Sequence, residues 1–123
     1  MRPKPPDIEA EITFLTPEEG GRKVPAFSGY RPQFYYDGHH WDARQDYVGV
    51  SEVYPGQTVT TELTFANPQY QLGKLYPGKE FLIREGHIVV GRGKVTKILN
   101  LENSSKAEEA REAKRRGENS DAT

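Results

Sequence analysis

Two segments of this chain, "IEAEITFL" from Ile8 and "TVTTELTF" from Thr58, alternate apolar and polar residues with a period of two. Successive side chains of an extended chain point to opposite faces, so this alternation marks strands with one buried and one wet face. In the first, Ile8, Ala10, Ile12 and Phe14 face inward. In the second, Val59, Thr61, Leu63 and Phe65 do so. "YRPQFYY", "YVGVSEVY", "EFLIRE" and "HIVVGRGKVTKIL" add four further strands. Gly20-Gly21, Pro55-Gly56, Asn67-Pro68, Pro77-Gly78 and Gly86 punctuate them as turns. Six short strands with no helical period between them predict a six-stranded antiparallel β-barrel or sandwich. Gly91 and Gly93, two apart on the last strand, are expected to let it bend as closure requires.

The 123 residues suffice for one domain with a modest core, since only 34% are apolar. Residues 1–7, with Pro3, Pro5 and Pro6, form an expected flexible lead-in, residues 8–101 the barrel, and residues 102–123 a charged tail. The tail has the composition of a helix, with Ser105 and Glu108 spaced as a capping box and Gly117 placed as a C-terminal cap. It carries no large apolar residue from Asn103 onward, so a solvated, fraying helix is expected. Its Arg111–Arg116 stretch is the alternative, a small basic contact.

The absence of cysteine excludes disulfides and thiolate metal sites. A formal charge of −1 gives no global field to gather nucleic acid. The N-terminus lacks the apolar core of a secretion signal, and no segment has the length of a membrane span, so a soluble, cytoplasmic protein is expected.

Chemistry-bearing patterns are few. "GHIVVGRG" has two glycines at phosphate-loop spacing, but Arg92 and Gly93 stand where lysine and a hydroxyl residue are needed. "YDGHHWDARQD" gathers Asp37, His39, His40, Asp42 and Asp46 in ten residues. Adjacent histidines on an extended chain point to opposite sides, and the spacing matches no zinc pattern. A polar, aromatic hairpin loop without metal is expected. With no catalytic constellation and no cofactor signature, the chain reads as non-enzymatic.

"PEEGGRKVPAFSGYRPQFYY" resembles the opening of the C-terminal β-barrel, the third domain, of bacterial elongation factor Tu. Pro55-Gly56 is similar to that family's P-G-D turn, and "EFLIREGHIVVGRGKVTKIL" is similar to its closing R-F-A-I-R-E-G block. Together these cover about residues 8–100. The resemblance implies a six-stranded antiparallel barrel, here without the GTPase domain and so without GTP binding by this chain. It further implies contact with a tRNA T-stem or similar structured RNA. Gln33, Glu85 and Gly86 match family positions on the RNA surface, and Arg22 and Arg31 match arginines available to phosphates. Lys23 replaces a family histidine.

The same comparison shows departures. The family's hairpin R-T-T-D-V-T-G becomes Asp37–Ala43, with Asp42 in place of an RNA-facing threonine. Glu80 replaces an arginine directed at the GTPase domain, and the segment before "EFLIREG" is longer. The alternative function is therefore protein–protein interaction, with a translation factor or another partner, through Tyr35, His39, His40, Trp41 and Tyr47 as exposed anchors. Arg31 and Arg84 are alternatively expected to pair with Glu18, Glu19 or Glu85 and hold turns.

Overall fold

The computed structural model describes residues 5–117; residues 1–4 of the lead-in and 118–123 of the tail lie outside it. Eight strands and one helix follow in order: β1 (Ile8–Phe14), β2 (Ala26–Phe27), β3 (Gln33–Tyr36), β4 (His39–Tyr47), β5 (Glu52–Val53), β6 (Thr58–Phe65), β7 (Glu80–Glu85), β8 (Ile88–Ile98) and α1 (Leu101–Arg115). Six of the strands close an antiparallel barrel in the order β1-β6-β4-β3-β7-β8, and β8 returns to β1. β2 and β5 form a separate two-stranded sheet.

The number of barrel strands agrees with the sequence, but one member differs. The "YVGVSEVY" segment supplies the last residue of β4 and the short β5, while the sixth barrel strand is β4, drawn otherwise from the residues expected to form a loop. β4 hides its alternation because its inward positions past Trp41 are Ala43, Gln45 and Tyr47, only weakly apolar as a set. Asp37 (φ 50) and Gly38 (φ 81) turn β3 into β4, and Tyr36 pairs directly with His39. Two consecutive positive φ values give the turn whose twist suits a two-residue hairpin. Buried Gln45 is stabilised by bonds rather than hydrophobicity. Its backbone N–H donates to the Tyr30 carbonyl at 2.8 Å, and its side-chain oxygen accepts from the Tyr47 hydroxyl at 2.8 Å.

The barrel interior is filled by rings. Phe34 stacks on Phe81 at 4.1 Å between centroids and meets the edges of Phe65 at 4.9 Å and Tyr36 at 5.7 Å. Gly93 pairs with Phe81 across β7 and β8, and a Cβ there would lie 2.4 Å from the Phe81 ring. Beyond the bend expected of them, both glycines admit a close neighbour. Gly93 leaves room for Phe81, and Gly91 is crowded by the Thr13 carbonyl, 3.2 Å from where its Cβ would stand. The register of β8 slips between Val89 and Gly91, opposite Ile83 and Arg84, and again between Val95 and Lys97, opposite Glu9 and Ala10, so one irregularity falls beside Gly91.

One barrel end, holding the starts of β1, β4 and β7, is closed by residues 67–75. The short 3₁₀ turn Pro68–Tyr70 leads to Gln71 and Leu75, both buried, and the Tyr36 hydroxyl donates to Gln71 at 2.5 Å. Tyr70 stacks on Trp41 at 5.8 Å. α1 lies on this turn: Leu101 and Ser105 are buried, and the Glu112 carboxylate accepts from Gln69 at 2.9 Å and Tyr70 at 3.1 Å. The helix starts at Leu101 rather than at Ser105, so the expected Ser105–Glu108 capping box does not form. Burying Leu101 draws the start forward and places Ser105 mid-helix, against the fold. Gly117 takes a positive φ of 77 just past the Arg116 cap. The lead-in also ends early. Asp7 is fully buried, its carboxylate accepts from the Phe65 N–H at 2.7 Å, and its carbonyl accepts from Leu99 at 2.9 Å.

Two outcomes follow from this core. Gly93→Val should lower stability in urea titration by about 1–3 kcal/mol through overpacking against Phe81, and Phe81→Leu in the same chain should recover part of that loss. Burial, with Asp37 adding to it, pushes the Tyr36 phenol from 10.0 to about 12. The native barrel thus favours the neutral phenol, and this contribution is complete below pH 10.0 and drains away as pH rises toward about 12. Tyrosinate absorbance should show Tyr36→Phe removing a late-titrating phenol, with the loss of stability at alkaline pH correspondingly shallower.

Candidate nucleic-acid interface

At the opposite end of the barrel, β3 begins with Gln33 and β7 finishes with Glu85. Gln33 pairs with Arg84 on one side and with Asp42 on the other, so three polar side chains lie in one row on the outer face. Gly86, with φ 64, starts the two-residue turn that joins β7 to β8. Gln33, Glu85 and Gly86 are therefore brought to one edge.

Arg22 reaches this edge from the loop between β1 and β2. Its guanidinium pairs with Glu85, lies 4.7 Å over the Tyr30 ring, and donates to the Pro25 carbonyl at 3.1 Å. The Tyr30 hydroxyl donates to the same Glu85 oxygen. Burial, followed by this bond to Glu85, pushes the Tyr30 phenol well above its ordinary range. Partial burial works against the Arg22 charge, but Glu85 and Tyr30 outweigh it, and its pKa is raised. Glu85 is thus an anchored carboxylate whose side chain keeps 39% exposure. Anchoring of this kind fixes an acceptor in place rather than leaving it to swing.

The expected pairing of Arg31 or Arg84 with Glu18, Glu19 or Glu85 is corrected. Glu85 belongs to Arg22. Glu19 closes a capping box on Thr16, accepting from its N–H at 2.9 Å, and this backbone bond holds its carboxyl below the usual range. Arg84 instead lies 4.6 Å over the Tyr35 ring. The Gln33 side-chain oxygen and the Arg84 Nε are both enclosed without a hydrogen-bond partner. Lys23 and Arg31 are exposed beside the edge.

The second group of sequence-selected residues does not gather here. His39 and His40 are exposed at the start of β4, at the end closed by residues 67–75. Trp41 is half-buried against Tyr70 and is committed to that closure. Tyr47 was expected to be an exposed anchor but is 7% exposed, set edge-on to Phe14 at 6.2 Å. It occupies an inward position of β4, and burial raises its phenol well above the ordinary value. Tyr35 alone bridges the two regions, with His40 at 4.9 Å between ring centroids. Asp37 is paired with Lys79 at 2.8 Å. Among the described residues, no three His, Asp or Glu side chains are grouped to hold a metal ion, and no helix is long and apolar enough to cross a membrane.

Nothing in the sequence marks Tyr30 as a member of the edge. Its spacing from Arg22 gives no signal, because the contact is made only when the loop folds back over β7. The closed barrel and this edge coincide with a match to the family model described as the elongation factor Tu C-terminal domain, over residues 4–99. With most of its length so matched, and the six-stranded barrel in place, the chain belongs to the elongation factor Tu C-terminal domain family.

Proposed function

We propose that this chain is a non-enzymatic binding module that holds a structured RNA stem, of the tRNA T-stem kind, along the edge formed by Gln33, Glu85 and Gly86. The family supports a translation-related binding role in general. The observation that carries the finer step is the Glu85 carboxylate, anchored by Arg22 and Tyr30 and still 39% exposed at the edge that Gln33 shares. It is an acceptor in a fixed position, and the 2′-hydroxyls of an A-form minor groove are donors at a shallow, accessible surface. Lys23 and Arg31 supply charge toward phosphates, and Arg22 acts by positioning Glu85. The affinity rests on few charges, because the chain as a whole carries −1. Asp42, in register with Gln33, further repels phosphate.

The test is fluorescence anisotropy of a labelled RNA hairpin at low and near-physiological salt. Saturable binding is expected, with Gln33→Ala weakening it roughly 5- to 10-fold, in line with one lost hydrogen bond from its side-chain amide. Lys23→Ala and Arg31→Ala should each flatten the salt slope by about one. Asp42→Thr should tighten binding at low salt. An absence of binding at low salt, or equal binding of the DNA duplex of the same sequence, would overturn the proposal.

A further inference from the structure

The end covered by residues 67–75 carries a surface of its own, a strand length away from the rim of Gln33 and Glu85. Tyr70, Leu72 and Tyr76 keep 45%, 43% and 53% of their surface in water there. A chain of contacts joins them round the end. Tyr70 stacks on Trp41 at 5.8 Å, Trp41 meets the His39 ring at 6.3 Å, and His39 pairs with Tyr36. The Lys79 ammonium then lies 5.5 Å over the Tyr36 ring and 6.0 Å over the Tyr76 ring. Leu72 follows Gln71, which the Tyr36 hydroxyl ties to the barrel end. The band therefore rests on fixed supports. α1, which props Tyr70 through Glu112, begins after the residues that the family model covers. Contiguous exposed apolar surface of this kind marks an interaction site, whereas scattered single residues do not.

Area and charge select the occupant. The two half-exposed tyrosines offer about 200 Å² between them, and Leu72 adds less than that. A stable dimer buries roughly 800 Å² on each partner, so the band is too small to hold a second copy and suits a short peptide. The charge left over is positive. Asp37 is taken by Lys79, Glu112 by Gln69 and Tyr70, and Glu80 faces Lys94 in the register. Lys74, two residues past Leu72, is exposed and makes no ion pair among the described residues. The bond to Glu112 raises the Tyr70 phenol and Arg116 works against it, which sets a further cation beside that ring. The rings of Trp41 and Tyr70 cover one another, so ring edges and the Leu72 methyls are what a partner meets. Those pack against apolar side chains better than they stack on bases.

We propose that this end of the barrel docks a short acidic peptide segment of a partner protein, with a leucine or aromatic side chain against Tyr70, Leu72 and Tyr76 and a carboxylate on Lys74. NMR titration of the labelled protein with the end-blocked peptide Glu-Glu-Leu-Phe-Glu-Glu, and with Lys-Lys-Leu-Phe-Lys-Lys beside it, tests this. The acidic peptide should shift the Leu72 methyl and Trp41 indole signals saturably and leave Gln33 and Gly86 still. Leu72→Asp, at an exposed position outside the core, should weaken that binding roughly 10-fold or more. Lys74→Glu should abolish the preference for the acidic peptide over the basic one.

Silence of the Leu72 and Trp41 signals at millimolar acidic peptide overturns the proposal. Equal binding of the basic peptide overturns it too, as would an unchanged affinity in Leu72→Asp. Displacement of the acidic peptide by a short oligoadenylate would assign the band to RNA and sink the peptide reading. Binding of an RNA hairpin is read from the rim signals, so the function proposed above and this one can each fail alone.

Discussion

A six-stranded barrel has a narrow interior, and it stays closed only when that interior is filled by side chains. Phe34 is among the largest of the fully buried side chains. It is in contact with Phe81, Phe65 and Tyr36, so one ring links β3 with β7 and β6 and with the segment that closes the barrel beyond Tyr36. Truncating a buried ring of this kind typically costs about 3–5 kcal/mol, a large share of the 5–15 kcal/mol that holds a small domain together. The missing side chain at Gly93 is the complement of this cluster, since the Phe81 ring occupies the volume a Cβ would take. The positions of Gln33 and Tyr35, which flank Phe34 and face outward, are set by the same packing.

The brace of Arg22, Tyr30 and Glu85 joins the far end of that core to the outer surface. Tyr30 packs 6.4 Å from Phe14 inside and bonds Glu85 outside. The exposed edge is thereby connected to the buried rings through one half-buried phenol. An ion pair on an open surface contributes little by itself. Here the value of the pair is geometric: the loop of residues 15–32 is fixed over the end of β7, and Lys23 and Arg31 are carried to that edge with it.

The barrel was legible because its strands mostly alternate, and the two blocks resembling the elongation factor Tu domain lie on β3 and on β7 and β8. β4 was misread for a physical reason. Its inward positions include Ala43 and Gln45, and Gln45 is stabilised by hydrogen bonds that hydropathy does not register. The Asp37-Gly38 pair did announce a hairpin, but the adjacent histidines drew the reading toward a polar loop. Of the edge residues, Gln33, Glu85 and Gly86 were recognisable from the resemblance, whereas the partner of Glu85 was not. Arg22 and Glu85 are 63 residues apart, and only tertiary folding selects it over Arg31 and Arg84. The docking of α1 was equally hidden, because it uses a carboxylate and one leucine where an amphipathic stripe would be expected.

The pairing of Leu99 with Asp7, continued by Asn100 with the Pro6 carbonyl at 3.2 Å, brings the points of entry to and exit from the barrel side by side. Both lie at the end covered by residues 67–75, a full strand length from Gln33 and Glu85. A tether, label or fused partner attached near Pro5 would therefore hang from the back of the molecule. The barrel is built like a socket on a handle: it can be carried by whatever grips its adjoining ends while the opposite rim stays open.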